Sequence, residues 1–528
     1  MSSEARNLPL GNSSFERLRQ SKQIYVDKTQ MIFELATTSG KYFLARPRRF
    51  GKSLLVSTFE SLFKHGVRDF EGLEIQQLWN EDVSSYKVVR LDFSRLKVSV
   101  PNSDFCSDFD NFLEAEFGKI GFCRKNKNLQ FLNELSNFLS ELPVSSLVLL
   151  IDEYDAPLTS CLEDKELFES VRTKISGFYS ILKSNDSSTR FLFITGVTKF
   201  TKTTIFSELN NLYDISLDPT YGTLLGYTHK EVEKYFPDFI LKACTSLEME
   251  KGELLDELTK NYDGFCFDEQ ASSHVFAPWS ILKFFLNPER GFKDYWFESG
   301  GQPSALVRYF KSHSLRSPEE YGNDKSLLLS TLSGSSDFDS ISDLALLTQA
   351  GYLTIKAVKY NDIVHLGYPN SEVRTAMAKL YMEMLLKGRL AGQVGAGGIA
   401  QVLAEDSPEA LFHILNRLFA SIDYQNYPVK DEASLRGFVQ VYFAGAGLKP
   451  WVEHHSAMGR SDLEVNVNNR HWILEFKVVS ERSDEESKLK EAIEQLEKYG
   501  NDSSSKDILK VALIFSKDKK SFIKWKAV

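Results

Sequence analysis

The chain has 528 residues, 42% of them hydrophobic and 26% charged, and a formal net charge of −9. This is globular composition, long enough for several cores, and with only 15 Pro and 30 Gly it argues against long disordered tails. The acidic balance gives no chain-wide electrostatic case for nucleic acid, although a local basic surface stays open because a polyanion responds to the nearby field. The N-terminal MSSEARNLPLGN lacks the apolar segment of a signal peptide, and no apolar run approaches a membrane span. Cys106, Cys123, Cys161, Cys244 and Cys266 are scattered without a C-x-x-C, so neither a disulfide framework nor a zinc knuckle is expected. A soluble cytoplasmic protein with no membrane partner is the expectation.

In chain order, residues 1 to about 225 alternate short apolar runs with amphipathic stretches, the α/β pattern. Strands are predicted at Tyr42–Ala45, Lys87–Asp92, Ser146–Ile151 and Arg190–Thr195. The first runs into RPRRFGKS, where Gly51-Lys52-Ser53 opens an amphipathic helix carrying Leu54, Leu55, Phe59, Leu62 and Phe63. A phosphate-binding loop needs these parts: backbone N–H groups wrap the phosphates, Lys52 reaches the β/γ oxygens and Ser53 ligates Mg²⁺. The pattern G-x-x-x-x-G-K-[ST] asks for glycine at position 46, where this chain has Arg46. That first glycine mostly shapes the entry turn, so its loss damages the motif less than loss of Gly51 or Lys52 would.

The third strand ends in Asp152-Glu153, at the edge where ligands bind in open parallel sheets. Asp152 is the expected Mg²⁺ residue, and Glu153 the general base that orients the attacking water. The fourth strand ends in Thr195, placed to sense the γ-phosphate. From Gly226 to about Phe310 the pattern turns helical and aromatic. Around Leu344–Pro369 a helix leads into two short strands, which leaves a winged helix and a small α+β lid both open. AGQVGAGG, Ala391–Gly398, reads as a hinge.

YVDKT, RPRRFGKS, LLIDEYDAP, ITGVTKF and FSELNNLYDISL together resemble the AAA-ATPase-like family, in which R-P-R-R-F-G-K-S is the usual form of the loop. LLGYTHKEV, NYDGF, APWSIL, QAGYLTI and GYPNSEVR extend the resemblance over most of the first 375 residues. The resemblance implies a P-loop ATPase core that binds ATP. The nucleotide set is then Arg48, Arg49, Phe50, Gly51, Lys52, Ser53, Asp152 and Thr195, with Glu153 catalytic. It names no arginine finger. ATPases of this kind often assemble, so a homo-oligomer is a partner to expect, without a number.

The last segment holds GRSDLEVNVNNRHWILEFKVV, Gly459–Val479. Asn468-Asn469 suits a two-residue hairpin turn, which sets Asp462 opposite Glu475. Glu475 and Lys477 then share a face, while Leu474, Phe476 and Val478 take the other. Like charges directly opposite destabilise a sheet unless a cation offsets them, and a divalent metal does so. Lysine beside it can orient water or stabilise charge on phosphorus. Upstream, Glu432 falls on the inward stripe of Leu435, Phe438, Val439 and Tyr442. Downstream, Gln495 turns partly inward beside Ala492 and Leu496.

The D-x(12)-E-F-K arrangement resembles the PD-(D/E)XK nuclease superfamily, with Ser461 in place of the usual proline. The resemblance implies a restriction-endonuclease-like α/β domain in which Asp462, Glu475 and Lys477 are catalytic, Glu432 is the helix acid and Gln495 the later polar residue. Glu453 competes with Glu432 for the helix role. Mg²⁺, or Mn²⁺ in its place, would be held by Glu432, Asp462 and Glu475.

The expected organisation is an AAA-ATPase-like domain at 1–225, a helical and winged or lid-like region at 226–375, a helix and hinge at 376–400, and the nuclease-like domain at 401–528. The leading function is an ATP-regulated, metal-dependent nuclease, acting on DNA rather than RNA. The alternative is a nucleotide-gated binding protein with a non-cutting nuclease-like domain.

Overall fold

The computed structural model describes residues 7–96, 104–125, 129–199, 209, 211–296, 304–313, 316, 318–322, 325–334, 341–360, 362–385, 396–422, 424, 427–446, 448, 450–452, 455–456, 459–480, 485–498 and 507–528. They form two compact units, Met1–Tyr309 with Asp324–Glu372, and Phe310–Asn323 with Val373–Val528.

The first unit is built on a parallel sheet of β1 (Lys41–Ala45), β2 (Lys87–Asp92), β3 (Leu147–Asp152), β4 (Thr189–Gly196) and β5 (Tyr213–Asp214), in the order β2-β3-β4-β1-β5. The apolar runs follow from burial on both faces. Along β4, Phe191 and Phe193 meet Phe59 of the Lys52–His65 helix at 5.0 and 4.8 Å between ring centres. Leu192 and Ile194 point the other way, into a core with Phe109, Leu113, Phe117, Leu135, Ile175 and Phe178. A strand that must be apolar on both sides loses its alternation, which is why periodicity reveals it as a run.

The helical stretch and the loop-strand region belong to the same compact unit, so the expected boundary at 225 does not separate two bodies. Polar ties explain this. Lys28 Nζ, 8% exposed, donates to Glu231 Oε2 at 2.7 Å, joining YVDKT to the capping box of the His229–Tyr235 helix. Asn370 Nδ2 donates to the Asp263 carbonyl at 2.7 Å, joining GYPNSEVR to NYDGF. The expected helix and two strands are present as Asp343–Gln349, β7 (Thr354–Lys359) and β8 (Ile363–Gly367). A further strand, β6 (Lys325–Leu328), pairs with the free edge of β8 in the order β6-β8-β7. Winged helix and α+β lid share this arrangement.

In the second unit the Ser371–Leu385 helix buries Met377, Leu380 and Tyr381. The Tyr381 ring meets Tyr427 and Phe438 at 5.6 and 6.4 Å. That packing puts Val373 onward in the second unit and moves the expected start of the C-terminal domain from 401 back to 373. Of the expected hinge, 391–395 lie outside the described residues, and Ala396–Gly398 form the first turn of the Ala396–Glu405 helix. That helix docks through buried Ile399 and Leu403, and the Leu403 carbonyl accepts from Trp472 Nε1 at 2.7 Å.

The sheet of this unit runs β15-β14-β13-β12-β9, from β9 (Pro450–Val452), β12 (Leu463–Val467), β13 (Arg470–Val479), β14 (Asp507–Ser516) and β15 (Ser521–Ala527); the small pair β10 (His455–Ser456) and β11 (Gly459–Arg460) stands apart. β13 and β14 are parallel, and the Glu485–Glu497 helix connects them. Among the described residues, no helix is long and apolar enough to cross a membrane.

Gly351 sits at φ +83°, where a Cβ would lie 2.8 Å from Pro47 Cγ and from the Trp296 ring. Gly351→Ala combines left-handed strain with a clash, and is expected to destabilise the protein by roughly 1–3 kcal/mol in denaturant titration. A loss below about 0.5 kcal/mol would show that the contact is not tight.

Candidate functional site

β1 ends at Ala45 beside Gly196, and β2 and β3 end together at Asp92 and Asp152. The loop after β1, Asp152 and Thr195 therefore gather at one edge of the sheet. Gly51 caps the Lys52–His65 helix at φ 97°, a conformation that favours glycine. Arg46 turns away from the loop. It is 1% exposed, its guanidinium donates to the carbonyls of Ser216 and Tyr221 at 2.5 and 3.2 Å, and it lies 4.4 Å over the Phe267 ring. Burial pushes its pKa down to about 9, opposed by Asp214, Cys266 and Asp268. Arginine here anchors the entry to the loop from beneath, a job that a glycine could not do.

Phe50 is the second anchor. Its ring lines the loop's cavity but is 1% exposed, edge-on to Phe265 and Phe267 at 5.0 Å each and to Trp296 at 6.2 Å. Its contribution to a nucleotide site is thus to fix the loop. Arg49 lies at φ 68° with its guanidinium 4.5 Å over Trp279, and Arg48 is exposed beside Lys52. A cavity of about 620 Å³ spans this region, and Tyr25, Arg48, Arg49, Lys52, Ser53 and Glu153 line part of it.

Lys52 Nζ donates to the carbonyls of Arg46 and Pro47, both at 2.9 Å. Burial lowers its pKa to about 8 against the pull of Asp152, Asp155 and Glu153. Asp152 Oδ1 accepts from Thr195 Oγ1 at 2.7 Å, and Arg90 Nη2 lies 3.7 Å from its Oδ2. Glu153 stands at φ 51°, and burial raises its carboxyl pKa, with Lys52 opposing and Asp152 and Asp155 reinforcing the shift. A carboxyl held above its usual range suits a proton acceptor working near neutral pH. The Lys52 ammonium, the Ser53 hydroxyl and the Glu153 carboxyl on one cavity, with buried Asp152 close enough to act on Lys52 and Glu153, fit the phosphates and Mg²⁺ of a nucleotide.

Sequence reasoning missed the residues that grip the loop after β4. Asp155 accepts from the Val197 N–H, the Thr198 N–H and Thr198 Oγ1, and Tyr154 donates its hydroxyl to the Thr198 carbonyl at 2.6 Å. The Lys199 N–H then donates to Gln349 Oε1 at 2.8 Å. The signal for Asp155 was a third acid so soon after Asp152-Glu153; Gln349 gave none.

On the hairpin, Leu463 pairs with Leu474 and Val467 with Arg470. This is the register that the Asn468-Asn469 turn implies, with Asn468 at φ 52°. Asp462 lies just before β12. Its Oδ2 accepts from the Phe476 N–H at 2.9 Å, and Arg436 Nη1 sits 3.3 Å from its Oδ1. Glu475 is 3% exposed; its Oε1 accepts from Lys477 Nζ at 2.9 Å, while its Oε2 is buried with no hydrogen-bond partner among the described residues. Burial and then the Asp462 charge push the Glu475 pKa up to about 7, with Lys477 opposing. Burial works against the Lys477 ammonium, but Glu475, Glu432 and Asp462 outweigh it and raise its pKa.

Glu432 does not lie in the core. As the first residue of the Glu432–Gly445 helix it is half-exposed and faces the site, with Oε1 accepting from the Val478 N–H at 3.4 Å and Oε2 3.9 Å from Lys477 Nζ. Gln495, the expected later polar residue, turns inward on the Glu485–Glu497 helix. Its Oε1 is buried without a partner among the described residues, and Glu491, one turn earlier on the same helix face, is the residue that comes within 3.9 Å of Lys477 Nζ. Ser461, where proline was expected, donates to Glu464 at 2.5 Å. Glu453 and His454 lie outside the described residues.

Among the described residues no three His, Cys, Asp or Glu side chains form a metal-binding group. Asp462 and Glu475, with the orphaned Oε2, nevertheless make a two-carboxylate oxygen set, and Mg²⁺ and Mn²⁺ complete such sets with water and phosphate. The residues fit that class of ion.

A family model described as a predicted AAA-ATPase matches residues 9–206, and one for the PD-(D/E)XK nuclease superfamily matches 430–525. An uncharacterised protein in the vnfD 5′ region of Azotobacter chroococcum mcd 1 is 30% identical over 483 residues, covering 90% of each chain. The chain belongs to the AAA-ATPase-like family, with a C-terminal domain of the PD-(D/E)XK nuclease superfamily. A solved structure of the Aeropyrum pernix ORC2 protein (ADPNP–ADP complexes) aligns at 10% identity and a TM-score of 0.29, over 72% of this chain and 96% of its own, too slight a likeness to carry an argument. In this AAA-ATPase-like protein the loop, Asp152 and Thr195 fall in or beside the first matched segment, and Asp462, Glu475 and Lys477 in the second.

Two pH responses follow. The folded Lys52 pKa of about 8 lies below its ordinary 10.5, so above about 8 the loop loses the charge that phosphate needs. ATP affinity is expected to fall as pH rises from about 8, by up to about tenfold per unit, and calorimetry should find no such break in Lys52→Ala. The folded Glu475 pKa of about 7 lies above its ordinary 4.5, so the native state binds more protons between these values. Metal-free stability should therefore fall as pH rises across that window, and Glu475→Gln should flatten the slope; an equal slope in the variant would mean another group carries it.

Proposed function

We propose that this protein binds and hydrolyses ATP at the Gly51–Ser53 loop and cleaves phosphodiester bonds of nucleic acid, DNA before RNA, at the Asp462–Glu475–Lys477 hairpin. The observation that carries the second half is the buried Glu475 Oε2, left without a hydrogen-bond partner among the described residues, beside a second carboxylate. An unsatisfied buried polar atom costs roughly 1–3 kcal/mol, and a cation bound at this oxygen would offset that cost.

In the ATPase half, Lys52 binds the β/γ phosphates, Ser53 and Asp152 hold Mg²⁺, Thr195 orients Asp152 and senses the γ-phosphate, and Glu153 takes the proton of the attacking water. In the nuclease half, Asp462 and Glu475, with Glu432 at the rim, would hold a divalent ion, which would supply Lewis-acid charge. Lys477 keeps Glu475 in place and, once released from it, stabilises the charge that builds on phosphorus.

Purified protein, supercoiled plasmid and Mg²⁺ or Mn²⁺ test this together, with single-stranded DNA and RNA as parallel substrates. Wild type should cut. Glu475→Gln should lose at least about 100-fold in cleavage while keeping ATP turnover, and Glu153→Gln should keep ATP binding but hydrolyse slowly. Undiminished cleavage in Glu475→Gln, or no metal-dependent cleavage by wild type, would favour the nucleotide-gated binding protein instead.

A further inference from the structure

Two opposed carboxylates on a hairpin are unstable without a cation. Two of the chain's own cations flank this pair. Lys477 takes Glu475, and Arg436 takes Asp462, at 3.3 Å from Oδ1. The contact is largely out of water, since the Arg436 side chain is 12% exposed and that of Asp462 17%. Arg436 is also one turn from Glu432 on the Glu432–Gly445 helix, so a single helix face carries both residues to the hairpin. Neither composition nor motif had marked this arginine.

We propose that Arg436 has two partners in turn: Asp462 in the metal-free protein, and a backbone phosphate of the nucleic acid when a divalent ion occupies Asp462 and Glu475. This rests on the nuclease reading and assigns it a substrate-contacting residue. An ion drawn to Asp462 Oδ1 meets the same oxygen that the guanidinium holds, so the two compete. Once displaced, the guanidinium remains beside the carboxylates, and a phosphate drawn to the ion comes within its reach. Its planar fork of N–H donors matches phosphate oxygens better than a lysine ammonium does. The acidic hairpin thus gains, on substrate binding, a positive wall that it lacks while Arg436 is tied to Asp462.

The test uses full-length protein and the Arg436→Gln variant, with Mn²⁺ binding measured calorimetrically without nucleic acid, and duplex DNA binding measured in Ca²⁺ over a salt series. Removing the competitor should tighten Mn²⁺ binding about three- to tenfold. Removing the phosphate contact should weaken DNA binding by about tenfold and lower the salt slope by about one. A scaffold residue would do the reverse for the metal, because losing it would disorder Asp462 and weaken binding. Unchanged or weaker Mn²⁺ affinity overturns the counter-ion half, and unchanged DNA affinity overturns the phosphate half. Arg436→Lys, which keeps the charge, covers the case of a glutamine variant that does not fold: it should retain Mn²⁺ competition but recover less than half of the lost DNA affinity in free-energy terms, and full recovery would remove the role of the fork. Wild type that binds no divalent ion would sink the nuclease reading itself, whereas wild type that binds metal and cuts DNA beside an unaltered Arg436→Gln would sink this proposal alone.

Discussion

The loop from Arg46 to Lys52 depends on one interaction, the pair of bonds from the Lys52 ammonium to the carbonyls of Arg46 and Pro47. A loop with a buried lysine and no acid bonded to it needs oxygen acceptors, and its own backbone supplies them. Those carbonyls are fixed in turn. The Arg46 side chain is sunk among the Ser216 and Tyr221 carbonyls and Phe267, and the Phe50 ring is wedged among Phe265, Phe267 and Trp296. A glycine at position 46 would free the entry turn; arginine nails it down. The aromatic residues that receive these anchors come from the helical region, which is why that region belongs to the same compact unit as the sheet.

The hairpin shows the complementary problem. Here the acids come into direct reach of the lysine, with Asp462, Glu475, Glu432 and Glu491 all near Lys477. Burial alone would force Glu475 to stay protonated, and Asp462 adds to that pressure. Lys477 and Arg436 hold the cluster together, each on one carboxylate. The Glu475 Oε2 has no hydrogen-bond partner among the described residues, and this gives the cluster a chemical direction that a saturated salt-bridge network would lack.

Much of this was legible in the sequence because it rests on short-range rules. The limits expected for strand β2 match the observed Lys87–Asp92, since Val88, Val89 and Leu91 mark it even though, as the edge strand, it leaves Lys87 exposed and Arg90 and Asp92 half-buried. The hairpin register followed from a two-residue turn whose first asparagine adopts positive φ. Long-range choices were not legible. Nothing in Gln349 announces that its side chain meets the Lys199 N–H, and nothing in Arg436 announces Asp462. Glu491 was not legible for a related reason: helix periodicity selects a face, and both Glu491 and Gln495 lie on it, but only packing decides that Glu491 comes within 3.9 Å of Lys477. The glycine stretch before 398 failed differently, because its last residues begin a helix that Ile399 and Leu403 pull onto the sheet, a tertiary gain that outweighs poor propensity.

Each candidate site is closed by a lysine that stands where a ligand's charge would otherwise be balanced, and the two lysines are shifted in opposite directions. At Lys52 burial outweighs the pull of Asp152, Asp155 and Glu153 and holds the pKa below its ordinary value; at Lys477 Glu475, Glu432 and Asp462 outweigh burial and hold it above. The difference decides what each can release. A nucleotide would bring negative charge onto an ammonium now bonded to carbonyls, and so would strengthen the lysine's protonation. A divalent ion at the hairpin brings positive charge, so binding removes partners from Lys477 and frees its ammonium for another anion. The first lysine is completed by its ligand and the second is displaced by one. Phosphate is an anion that would satisfy both outcomes, so the two lysines, in two unrelated folds, are compatible with one class of ligand.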